Sequence, residues 1–351
     1  MGERCGGPPG KQTPTGPPVL AAHPGGHHIP AMPTRLLPRF LTGCAVVLGV
    51  ITLSFILLHL APGDPAAQLA GPAATPAQVE ALRVELGLDR SAPVQFVSWL
   101  GRAVRGDWGV SLATGRPVAG MLGDAWPATA LLVTLSLGLS YLLGVAIALL
   151  QATGTRRNDT RLSVLTTTLF ALPGYWLGTV LVWCFAYQLQ VLPAFGAAGL
   201  DADFLPPAAR LLDRLRHLAL PLLTLTLLGV GGAARFVRGA LLDVEGAPFL
   251  LAARARGVPE RRVRLRHLLR NALGPVVTLL GLSLPALFSG AVFVEGIFAW
   301  PGVGRILIQA VLARDTPVVL AAVTVSAVLV VLGNLLADLF RTWADPRLTD
   351  V

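Results

Sequence analysis

Apolar residues run through this chain in six long stretches separated by polar segments. The runs cover residues about 40–60, 126–151, 162–189, 218–234, 276–294 and 317–340. Each approaches the ~20 residues an α-helix needs to cross ~30 Å of hydrocarbon. The pattern therefore predicts an all-α membrane protein with six transmembrane helices. Pro173-Gly174 predicts a kink in the third run, and Pro285 lies inside the fifth.

The polar segments differ in character. Residues 1–33 are rich in Gly, Pro and His without hydrophobic periodicity, the pattern of a disordered tail. The first transmembrane segment, 34–61, stops at Ala61-Pro62-Gly63-Asp64-Pro65, a rigid turn sequence. Residues 62–126 form an insertion with amphipathic helical stretches. Pro76 to Leu86 reads as one helix, capped by Thr75 with Pro76 at its first position, and 94–104 has apolar residues at helical spacing. Residues 127–341 hold the remaining spans and a charged loop at 243–275, and 342–351 form a short polar tail.

Inside that loop, Ala247 to Pro275 carries seven arginines (254, 256, 261, 262, 264, 266 and 270) against one acid, Glu260. Ala247 to Arg256 is built from strong helix formers. Gly257 supplies a left-handed helix end, Pro259 suits the first turn of a second helix, and Glu260 complements that helix's dipole. A short helix, an elbow and a second helix thus sit between two membrane segments. Setting topology requires positive charge but not this Ala-Ala, Gly and Pro framing, so the elbow is a candidate handle for a soluble partner.

Charge changes the picture by fixing orientation. The chain is 54% apolar and 13% charged, against about 25% charged in soluble domains, with a net charge of +9 and Lys11 as its lone lysine. On one side of the six spans lie residues 1–39, 153–161, 235–275 and 338–351, which sum to +10; the segments on the other side sum to −1. The positive-inside rule places both termini and the arginine loop in the cytoplasm and the 62–126 insertion outside. Basic residues concentrated in inter-span loops argue against a nucleic-acid partner. Cys5, Cys44 and Cys184 have neither metal-ligand nor disulfide-framework spacing.

Candidate chemistry is sparse. Lys11 stands in GPPGKQT, which lacks the first Gly and the Ser or Thr of a phosphate-binding loop. Energy must come from a partner or an ion gradient. The centres of the six runs contain no Asp, Glu, Lys, Arg or His, which weighs against an ion-coupled secondary transporter. Glu295, at the outer end of the fifth run in FVEGIFAWPGVGR, is either an interfacial residue hydrated or paired with Arg305, or a residue facing a translocation path. Trp300 suits an interfacial anchor, and Arg314-Asp315 a local ion pair.

The elbow resembles the EAA loop of inner-membrane permease subunits of binding-protein-dependent ABC importers. Ala252, Ala253 and Gly257 match that loop's two alanines and glycine at the required spacing, while Leu251 stands where the Glu would be. The flanking ARARG-VPERRV-RHLLRNAL-P, with His267, Asn271 and Pro275, is similar to the dipeptide, oligopeptide and nickel branch, as are the PGDP, GDWGVS, RPV and VEGIFAWPGVG stretches. The resemblance implies one of two homologous permease subunits, two ATPase subunits and an extracytoplasmic solute-binding protein. It implies no cofactor in this chain, since ATP would be used by the ATPases. Ala252, Ala253, Arg254, Arg256, Gly257, Pro259, His267 and Asn271 would form the coupling segment that meets the ATPase. Glu295, Pro173 and Pro285 are candidates for the translocation path. Because the family begins just before the first span, Met32 is the expected start of translation. A non-transport scaffold that uses the arginines only against anionic lipid remains the other alternative.

Overall fold

The computed structural model describes residues 32–344 except Pro62. Most of the expected tail and the question of its start, together with residues 345–351, lie outside the described residues. Helix α1, Met32–Leu60, opens on the last two residues assigned above to the tail. Outside it come three short helices, α2 (Pro65–Ala70), α3 (Pro76–Glu85) and α4 (Ala92–Val104). Thr75 caps α3 through a full capping box with Gln78, as its position before Pro76 predicts. Asp64 accepts the Ala66 N–H at the start of α2 and pairs with Arg83 of α3 at 2.6 Å. Arg83 holds the Asp64 carboxyl below its ordinary pKa. Asp64 thus ties the chain that follows the first span to the α3 helix of the insertion.

The insertion ends sooner than its polarity indicates. Helix α5 runs Val118–Thr153, so it begins eight residues before the apolar run that marked it. Similarly α8, Pro207–Glu245, absorbs much of the polar segment between the third and fourth apolar runs. At 39 residues α8 is about 58 Å long, well beyond the ~30 Å of hydrocarbon. Apolar runs mark the part of a helix that sits in lipid, whereas the helix itself continues into water on an amphipathic face.

The third run is not one kinked helix. Helix α6, Arg156–Ala171, and α7, Gly174–Leu181, which continues as a π-helical turn over Val182–Gln188, meet at 103°. Leu172 (ψ 133°) and Pro173 (ψ 131°) are both extended, as the residue before a proline prefers, and two extended residues redirect the chain rather than bend it. Among the described residues, four helices are long and apolar enough to cross a membrane, or five if the bent pair counts as one span. The fifth run lies within α11, Leu269–Ile297, which follows α9 (Pro248–Ala255), the single turn α10 (Glu260–Arg262) and a π-helical segment, Val263–Leu268. From Glu260 to Ile297 these join into one helical run, so the elbow's second helix and the fifth apolar run are one element. Helices α12 (Val303–Leu312) and α13 (Thr316–Ala344) complete the described chain.

The main core joins α5, α7, α8, α11 and the elbow. Small residues let its helices approach: a Cβ on Gly144 of α5 would stand 2.7 Å from the Ala233 Cβ of α8. One on Gly231 of α8 would stand 2.6 Å from the Thr166 carbonyl of α6. In lipid, where apolar surface gains nothing from burial against apolar surface, such close packing supplies the attraction. Arg238 of α8 also makes a two-point ion pair with Asp159 of α6, at 3.0 and 2.8 Å.

Candidate functional site

The elbow forms as its sequence predicts. Gly257 has φ +75°, its N–H donates to the Arg254 carbonyl, and the Val258 N–H reaches back to Ala253. This paired closure needs a residue in the left-handed region, which glycine enters without steric cost. Pro259 stands one position earlier than expected, as the cap just before Glu260 rather than within the first turn. Glu260 then accepts from Arg254 at 3.2 and 3.0 Å and from Arg264 at 3.0 Å, clamping the two arms. Hydrogen bonds from Arg254 and Arg264 push the Glu260 pKa down to about 2.

One face of the elbow is closed by Leu250, Ala253, Val263 and Leu268, all within the main core beside Val237 and Leu241 of α8. Ala253 is 1% exposed, so this alanine is where the arm packs. The other face is open. Phe249 and Leu251 are 41% and 59% exposed, and Ala252, Arg256, Gly257, Arg261 and Arg262 lie beside them in sequence, also exposed. Arg256 folds back to the Ala252 carbonyl, and Asn271 donates to that of His267. His267 is half-buried. The eight candidate coupling residues thus fall on one compact unit, with Ala253 inward and most of the others outward.

A second constellation lies at the far end of α11. Glu295 is fully buried, and its Oε2 accepts the Gly304 N–H at 2.7 Å, at the N-terminus of α12. The Val303 N–H donates to Thr129 of α5. A carboxylate and a hydroxyl from neighbouring helices therefore satisfy the orphan amides of α12. Gly302 and Gly304 make this possible: a Cβ on the first would be 2.3 Å from the Glu295 carboxyl carbon, and one on the second 2.5 Å from the Val292 Cα.

Three expectations change here. Glu295 is fully buried rather than at an interface, and the Arg305 side chain donates to the Ala299 carbonyl instead of to Glu295. Trp300 is not at a water interface; it is 5% exposed and its indole N–H donates to Ala128 of α5. Asp315 does not rely on Arg314: it accepts the Leu112 and Ala113 N–H groups at 3.1 and 3.2 Å and a hydrogen bond from the Ser111 hydroxyl. The partners of Trp300 and Asp315 lie on other elements far along the chain, which is why sequence spacing does not show them. Of the other path candidates, Pro173 stands exposed at the α6–α7 break, and Pro285 lies in α11 with its side chain outside the described residues.

Long apolar helices, a broken helix pair and a charged elbow with an open face define a polytopic membrane protein. Residues 140–350 match the family described as the inner membrane component of binding-protein-dependent transport systems, and residues 32–133 match its N-terminal companion. The chain belongs to this family of transport permease subunits and is a multi-pass inner-membrane protein. It is 35% identical over 322 residues to the oligopeptide transport system permease protein AppB of Bacillus subtilis, covering 90% of this chain and 99% of that one. It is 39% identical over 321 residues to the probable D,D-dipeptide transport system permease protein DdpB of Escherichia coli K12, covering 86% and 94%. The glutathione transport system permease protein GsiC of the same organism is 35% identical over 300 residues, covering 85% and 93%.

Proposed function

We propose that this chain is one of two homologous six-span subunits that together enclose the path of an ABC importer for peptides or a related small solute. The observation that carries the reading is the two-faced elbow. One face is locked into the helix bundle, while the other presents Phe249, Leu251 and a set of arginines to the side where positive charge accumulates. Adjacent exposed apolar residues rimmed by charge mark a protein contact. The partner fitting that face is an ATPase subunit, one per permease, with a solute-binding protein delivering cargo to the opposite side. The relatives' names support small peptides as the cargo class.

In this reading both termini are cytoplasmic, and the sixth span is found by counting α11 and the bent α6–α7 pair with the four helices that cross by length. Closure of the ATPases on ATP displaces α9. The elbow is continuous with α8 through Gly246 and with α11 through Glu260, so both tilt together. The Asp159–Arg238 pair carries α6 along. Rigid movement of one bundle against another is a general route to alternating access. Glu295 shapes the path by holding α12, and the Pro173 break stands where α6 and α7 flank it.

The test is purification of the chain with its companions, followed by vesicle uptake of labelled di- and oligopeptides with and without ATP. Co-purifying ATPase activity and strictly ATP-dependent uptake are expected. Uptake driven by an ion gradient alone would favour a secondary transporter, and no ATPase with no uptake would favour a scaffold.

A further inference from the structure

We propose that the insertion between α1 and α5 holds an anionic phospholipid in a cavity at the outer ends of α1 and α13. The cavity has a volume of about 740 Å³, within the ~300–1,000 Å³ of sites that enclose small organic ligands. Its apolar wall is formed by Phe55 near the end of α1, Leu320 in the first turns of α13, and Trp99 and Trp108 of the insertion. The two tryptophans meet edge to face with centroids 6.3 Å apart, and Phe55 packs on Phe96 of α4 at 5.2 Å. Clustered aromatic rings at the end of two spans are the composition of a membrane interface.

Three charged side chains also line the cavity: Arg90 and Arg102 at the two ends of α4, and Glu85 at the end of α3. Among the described residues none of the three has a salt-bridge partner, which leaves a net positive rim on an apolar pocket. Such a site matches an amphiphile with an acyl tail and a phosphate head, because guanidinium groups are strong donors to phosphate oxygens. The Trp99 indole N–H is buried without an acceptor among the described residues, so an ester oxygen brought within reach would relieve an orphan donor. Placement decides for a membrane lipid over a soluble peptide. The cavity opens where two spans leave the bilayer, and α4 exposes Val97 (65%) and Val104 (81%) along the same level. This inference goes beyond the transport reading and needs only that α1 and α13 span the membrane.

The experiment uses the full-length chain in nanodiscs containing a phosphatidylglycerol with a photoactivatable acyl chain, with adducts mapped by peptide mass spectrometry. Adducts should fall on the peptides that carry the apolar wall, around Phe55, Trp99, Trp108 and Leu320. They should drop about tenfold in Arg90→Glu/Arg102→Glu, the effect of losing charge-assisted phosphate contacts. Ser98→Trp, which fills the cavity and keeps its charge, should lower labelling as well, whereas Glu85→Gln should raise it. The rise on Glu85→Gln keeps the test decisive if the double variant fails to fold. Equal labelling by a phosphatidylcholine probe, no change in any variant, competition by soluble glycerol phosphate, or displacement by a free peptide would overturn the proposal.

Discussion

Glu260 and Glu295 mark the two ends of one helical run and are put to opposite uses. Glu295 is fully buried and meets backbone amides of α12. Glu260 lies in the open and meets two arginine side chains of the elbow. A buried carboxylate without its donors costs far more than an exposed one, so the Glu295 end of the run is fixed by chemistry that tolerates little. The Glu260 end is held by exposed ion pairs that contribute little and by core residues on one face, which leaves its other face open. One end is built as an anchor; the other, in the function proposed above, is a handle.

The sharpest way to break that contrast is Gly304→Ala. The new Cβ would meet the Val292 backbone and the Glu295 carboxylate together. The cost should lie at the top of the ~1–3 kcal/mol range for overpacking, read as a lowered melting temperature of the detergent-solubilised protein. Glu295→Ala comes next, since it strands the Gly304 amide and should cost about 1–3 kcal/mol. Glu295→Gln keeps an acceptor and should recover part of that loss. At the Glu260 end, Gly257→Ala has open space around its Cβ and is penalised only by φ +75°, about 1–2 kcal/mol by the same melt.

The smallest effect belongs to Glu260→Gln, which should leave the melting temperature almost unchanged. Its pH signature is the informative part. The Glu260 pKa stands near 2 rather than 4.5, so its pairing is fully present above about 4.5 and is lost as pH falls toward about 2. Wild type and Glu260→Gln should therefore converge in stability across that acid window and differ by a constant amount above it. A difference that grows toward alkaline pH would contradict the assignment.

Much of the handle was legible in the sequence, because its determinants are local. Gly257, Pro259 and Glu260 act on neighbours a few residues away, and Thr75 caps a helix that begins at the next residue. The anchor was not legible. Glu295 lies in a suggestive motif, but the Thr129 hydroxyl that shares α12 with it comes from α5, and Asp315 finds Ser111 across most of the chain. Pro173 was correctly marked as a disturbance, yet a single proline does not reveal whether a helix will bend or break. The extensions of α5 and α8 beyond their apolar runs escaped because hydropathy records the lipid boundary, not the end of hydrogen bonding.

The central claim is that the open face of the elbow meets an ATP-hydrolysing companion in the cytoplasm. A single cysteine at Leu251 in the assembled transporter tests it most directly, with an impermeant maleimide applied to right-side-out and inside-out vesicles and a short bifunctional crosslinker applied to the complex. The account predicts labelling in inside-out vesicles alone and a crosslink to an ATPase subunit that changes in yield when ATP is added. Labelling from the outer face, or a crosslinked partner without ATPase activity, would contradict it.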